Sequence, residues 1–160
     1  MNKFLICIIL LFAAGNALSG GKTMNEQTTA NKEVAINLSK AIMAGDWEKV
    51  ENLIADDFKY EADGRPAIGK DEYIGFMKNV LSNAFSDMKM TFIHVIGEGD
   101  FVSVNYSNEM THSGEWFGVP PTNKRITATG QFIREIKNGK VTAEWQTTNM
   151  AGLMQQLTVK

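Results

Sequence analysis

The 160-residue chain carries 16 basic and 18 acidic residues, for a net charge of −2, with no block of like charges. Phosphate-backbone recognition needs a concentrated basic patch, so a nucleic-acid partner is not expected. Hydrophobic residues at 44% and charged residues at 21% are the proportions of a globular domain, and the single cysteine, Cys7, leaves no basis for a disulfide framework.

The chain opens on Met1-Asn2-Lys3, an apolar run from Phe4 to Ala14, and small residues from Gly15 to Gly21. This reads as a secretory signal peptide over residues 1–19, so the protein is expected to be exported, periplasmic or secreted. The apolar run is about 11 residues, against the ~20 that span a bilayer, so no membrane attachment is expected once the leader is removed. Cys7 lies too early in the leader to be an acylation site, and its loss removes every thiol from the mature chain. What remains is one domain of ordinary size.

Residues 20–30 are polar and small and are expected to form a flexible lead-in, with the fold running over 31–160. Val34, Leu38, Ala41 and Ile42 recur at helical spacing up to Gly45. A second helix follows the N-cap candidate Asp46, with Trp47, Val50, Leu53 and Ile54 inward. Asp57 to Glu61 reads as a short strand before the turn Ala62 to Pro66, and Lys70 to Phe85 as a third helix. Two hairpins come next: 88–96 with 101–112 around Gly97 to Asp100, and 126–136 with 141–148 around Lys137-Asn138-Gly139-Lys140. The Gly- and Pro-rich segment 114–122 between them is a loop, and Met150, Leu153, Met154 and Leu157 mark a short amphipathic tail. Helices first and antiparallel strands afterwards imply an α+β domain, with helices on one face of a curved sheet that encloses a space.

Five segments then match a known pattern in order and spacing: Thr111-His112-Ser113-Gly114, Gly118-Val119-Pro120-Pro121-Thr122-Asn123-Lys124-Arg125, Asn138-Gly139-Lys140-Val141, Glu144-Trp145, and Leu153-Met154-Gln155-Gln156-Leu157. They resemble the SnoaL-like polyketide (ester) cyclase family of the NTF2-like superfamily over about Val34 to Val159. The resemblance implies a cone-shaped antiparallel sheet with three N-terminal helices packed on one face, a central pocket, frequent homodimers, and in some members a metal-free, cofactor-free aldol-type ring closure. The family's acid/base aspartate falls on Gln146, whose amide can orient a carbonyl or hydroxyl but cannot shuttle a proton near neutrality. Two polar pocket positions of the family fall on Gly130 and Phe132, which would make that wall apolar.

Each candidate residue carries a functional and a structural reading. His112 is either a general base at the pocket edge or a histidine that hydrogen-bonds the Gly-Pro loop and holds its shape. His94 reads as core or interface, and two histidines so far apart do not make a metal site. Glu144 shares a strand face with Gln146 and is either the acid/base or a salt-bridged or solvent-facing residue. Against the first stands the more apolar alternation Val141, Ala143, Trp145, which a simple sheet would turn inward. Trp116 and Phe117 form a lid, a plug or a subunit contact. Tyr60 either donates to a ligand oxygen or packs on Trp47. The candidate ligand set is thus Tyr60, Trp116, Phe117, Gly130, Phe132, Trp145 and Asn149, with Gln146, Glu144 and His112 as candidate catalytic positions. The leading expectation is an exported domain binding a small, largely apolar organic ligand. The alternative is a metal-free cyclase, isomerase or hydrolase using Glu144 or His112, and a non-catalytic assembly domain with a filled cone ranks below both.

Overall fold

A computed structural model describes residues 23–159, so the expected signal peptide lies outside the described residues. Helix α1 runs over Met24–Ala44 and begins ahead of Asn31, because Thr23 and Glu26 form a reciprocal capping box. The lead-in expected over 20–30 is therefore helical from Met24 onward. Gly45 ends the helix at φ 68°, with its amide on Ile42 and that of Asp46 on Ala41, the paired bonds of a Schellman turn that a Cβ-bearing residue would strain. Helix α2 (Trp47–Leu53) is capped by Asp46, which accepts from the Lys49 amide.

The strands are β1 (Ile54–Ala62), β2 (Ile68–Gly69), β3 (Phe85–Glu98), β4 (Phe101–His112), β5 (Arg125–Lys137) and β6 (Lys140–Thr148). They form one sheet in the order β2-β1-β6-β5-β4-β3. The sheet is curved and mixed rather than wholly antiparallel, because β1 pairs with β6 in parallel. The chain leaves β1 and returns to its edge only after the long β3 to β6 meander, so hairpin geometry does not constrain that pair. Register shifts in β3 after Ser86 and Phe92 bend the long hairpin, as bulges do.

The segment expected as a third helix divides into α3 (Lys70–Phe76), a π-helical turn (Met77–Leu81) and a final turn α4 (Ser82–Ala84). The wide turn sits where the helix crosses the cavity described below. Helix α5 (Met150–Thr158) closes the chain with Asn149 as its N-cap. The main core gathers Leu38, Ile42, Val50, Phe58, Val104 and Ile136 between helices and sheet. A second cluster, with Phe85, Met110, Trp116, Ile126, Leu153 and Leu157, lies under the loop and α5.

Candidate functional site

Strand β4 turns Val102, Val104, Tyr106, Asn108, Met110 and His112 to the helix side, all buried, as the two-residue period requires. Strand β6 does not keep that period. Val141 pairs with Ile136 and Ala143 with Glu135, so Thr142 has no opposite residue and forms a bulge. The bulge puts Val141 and Glu144 on the same inner face and turns Trp145 outward. The alternation Val141, Ala143, Trp145 is therefore not the inner face.

The sheet and helices enclose a cavity of about 450 Å³. Ile42, Met43, Phe76, Met77, Leu81, Met90, Met110 and Trp116 form most of its apolar wall. Methionine and aromatic side chains here make a soft, adaptable surface. Opposite them, Tyr60, Tyr106, Gln146 and Thr148 form a polar wall, and Asp63, Arg65 and Glu72 stand at the exposed rim.

The polar wall is one hydrogen-bonded set. Tyr60 donates to Gln146 Oε1 at 3.3 Å. Gln146 Nε2 donates to the Tyr106 hydroxyl and to Thr148 Oγ1, each at 3.0 Å, and those two hydroxyls lie 3.2 Å apart. Burial pushes the Tyr60 phenol well above its ordinary range, with the Glu144 charge adding to the rise. Burial also raises Tyr106, where the Thr148 hydrogen bond opposes the shift and Glu144 adds to it. Both phenols therefore stay protonated at neutral pH. Gln146 thus has hydroxyl neighbours, not the apolar surround that Gly130 and Phe132 alone suggest.

Gly130 contributes by lacking a side chain. It lies opposite Tyr106 and Thr148, and a Cβ there would come within 2.7 Å of the Tyr106 hydroxyl and 2.5 Å of the Thr147 carbonyl. It makes room for Tyr106 and does not itself line the cavity. Phe132 does line it, with the Arg134 guanidinium 4.1 Å above its ring.

Glu144 lies beneath the polar wall and is 1% exposed. Its Oε2 accepts from Arg134 Nε at 2.6 Å, and Arg134 Nη1 donates to Ser39 Oγ at 2.9 Å and to the Ala35 carbonyl of α1. The salt-bridged reading of Glu144 is the observed one, although Oε1 has no protein partner. Asn108 Oδ1 and Trp116 Nε1 are likewise buried without one.

Of the remaining candidates, only Trp116 lines the cavity. His112 Nδ1 accepts from the Thr122 amide at 3.2 Å and lies 3.1 Å from its hydroxyl. The ring is fully buried against Phe85, which lowers its pKa; its contacts with Thr122 hold the Gly-Pro loop, and it does not line the cavity. Of the loop pair, Trp116 is buried in the cavity wall, whereas Phe117 is 58% exposed, packed on Trp116 and Arg65 outside it. Trp145 is 40% exposed on the outer face beside Phe101, and Asn149 is exposed as the cap of α5. His94 is exposed on β3 rather than in the core.

Sequence reasoning missed Tyr106, Thr148 and Arg134 as pocket residues. The period of β4 places Tyr106 inward, but its partners are 24 and 40 residues away or more, so only the folded register joins them. Among the described residues, no group of three or more His, Cys, Asp or Glu side chains is gathered closely enough to hold a metal ion.

No curated protein sequence matches the chain significantly. Solved structures share its architecture. A candidate SnoaL-like polyketide cyclase from Jannaschia sp. CCS1 superposes with a TM-score of 0.78 at 20% identity, covering 88% of this chain and 99% of that one. IdmH, a candidate polyketide cyclase from Streptomyces antibioticus, gives 0.72 at 24%, covering 81% and 99%. An LEH-like epoxide hydrolase from M. tuberculosis gives 0.66 at 14%, covering 81% and 90%. At these identities the likeness is one of fold. The sequence profile of the SnoaL-like polyketide cyclases, by contrast, matches residues 32–157. On that match, which takes in every residue lining the cavity, the chain belongs to the SnoaL-like polyketide cyclase family.

Proposed function

We propose that the protein is an exported, non-covalent binder of a small, largely apolar organic molecule held in this cavity. The observation that carries the reading is a roomy apolar cavity whose one inner ionisable pair is already locked, Glu144 by Arg134. Its accessible polar wall consists of neutral hydroxyls and the amide of Gln146. By resemblance, Gln146 stands where the family's cyclases keep their aspartate. Such a wall holds and orients a ligand oxygen but has no group that exchanges protons near neutrality. A titration with 2-ethylnaphthalene, read by the fluorescence of Trp116, tests it. Saturable one-to-one quenching that is lost in Trp116→Phe is expected, and linear, unsaturable quenching would refute it.

One observation favours the enzymatic alternative: Glu144 Oε1, beneath the cavity, has no partner. In that reading Glu144 would exchange a proton with an enolisable ligand. Deuterium uptake by bound 2-acetylnaphthalene that disappears in Glu144→Gln would establish it.

Two further parts of the proposal concern location and assembly. Export rests on the leader-like residues 1–19, and an N-terminus beginning near Gly20 on protein recovered from its host is expected. The homodimer rests on the outer sheet face, where Trp145 lies opposite Ile133 and stacks near Phe101. Sedimentation of wild type as a dimer and of Trp145→Lys as a monomer would support it.

A further inference from the structure

The hydrogen bonds of the polar wall can be counted proton by proton. Tyr60, Tyr106 and Thr148 bring one hydroxyl proton each, and Gln146 brings two amide protons. Tyr60 gives its proton to Gln146 Oε1, Gln146 gives one each to Tyr106 and Thr148, and one more proton lies between those two hydroxyls. Five protons therefore serve four internal bonds, and one hydroxyl proton, on Tyr106 or Thr148, has no acceptor within the set. A buried hydroxyl without an acceptor costs free energy until a ligand supplies one.

The charges around the set limit what that ligand group can be. Arg134 is committed to Glu144, and Arg65 sits at the rim over Phe117. Against them stand Glu144 beneath the wall and Asp63 and Glu72 at the rim. An anionic ligand group would thus meet three carboxylates with only Arg65 at the rim to oppose them, and burial of an under-compensated charge is costly.

We infer that the polar end of the cavity reads one uncharged acceptor oxygen, the carbonyl of a ketone, ester or lactone, and discriminates against a carboxylate. The inference rests on the binding reading above and gives it a ligand class. It also assigns Gln146 a positive role. An amide both accepts from Tyr60 and donates to Tyr106 and Thr148, which is what leaves a hydroxyl proton over. A carboxylate at position 146 would accept from all three hydroxyls and leave none.

The test uses three probes with the same apolar body on the intact protein: 2-ethylnaphthalene, 2-acetylnaphthalene and 2-naphthoate. Wild type is expected to bind the ketone about three- to tenfold more tightly than the hydrocarbon, the worth of one net hydrogen bond, and the carboxylate most weakly. Gln146→Glu, assayed above the pH at which its carboxyl ionises, should abolish the preference for the ketone. Gln146→Met, which frees the Tyr60 proton instead of consuming one, should keep it, so the two variants separate proton count from loss of polarity. If Gln146→Glu fails to fold, the wild-type and Gln146→Met preferences still decide. Equal binding of ketone and hydrocarbon by wild type, or tighter binding of the carboxylate, would overturn the inference while leaving the binding reading standing. Failure of all three probes to bind would overturn both.

Discussion

Glu144→Leu tests whether the acidic residue beneath the cavity is structural. The Glu144 and Arg134 side chains are 1% and 3% exposed and joined at 2.6 Å. Arg134 also reaches Ser39 Oγ and the Ala35 carbonyl. Removing the carboxylate leaves a buried guanidinium with neutral acceptors and no counter-charge, for which about 3–5 kcal/mol of lost stability is expected. For a domain of this size each kcal/mol lowers the melting temperature by roughly 3–5 °C, so the variant should melt about 10–20 °C below wild type. The double variant Arg134→Met with Glu144→Leu removes both charges and keeps the volume filled, and should return to within about 1–2 kcal/mol of wild type. Urea unfolding of wild type, the two single variants Glu144→Leu and Arg134→Met, and the double closes the cycle. A loss below about 1 kcal/mol in Glu144→Leu, or a double variant as unstable as the single, would refute the structural reading of the pair.

Three other outcomes are expected. Gly130→Ala should cost about 1–3 kcal/mol by urea unfolding, because its Cβ meets the Thr147 carbonyl and the Tyr106 hydroxyl, and should weaken ketone binding by displacing Tyr106. Burial lowers the His112 pKa, so the unfolded chain takes up the proton more readily. Stability should therefore fall as pH drops below about 6.5 toward the folded value, and thermal melts of His112→Gln should show a shallower decline. Gln146→Asp should destabilise by roughly 1–2 kcal/mol, since the shorter side chain cannot span to Tyr60, Tyr106 and Thr148 together. With Glu144 close behind, its carboxyl should resist ionisation, and the melting gap to wild type should widen as pH rises above about 4.

How far the sequence disclosed this architecture depends on what each feature leaves in composition. The inward set of β4 is written in strict alternation, and both hairpins are marked by Gly- or Asn-Gly turns. The Thr142 bulge leaves no such mark. It reverses the face of everything after it, so the apolar series through Trp145 pointed the wrong way, and Glu144 and Gln146 were placed inward only by resemblance. The early start of α1 was written in Thr23-x-x-Glu26, a capping box set in a stretch too polar to suggest a helix. His112 was legible as a loop anchor from its place beside the Gly-Pro segment. The polar wall was not, because Tyr106 reaches Gln146 only across the gap left by Gly130, a contact made by register between distant strands.

The central claim is that the cavity holds a neutral organic molecule and releases it unchanged. Native mass spectrometry of protein recovered from its own host addresses this most directly. One uncharged carbonyl-bearing molecule per chain, of the same mass bound and after release, is the expected result, and the mass of the bare polypeptide in every preparation would contradict it.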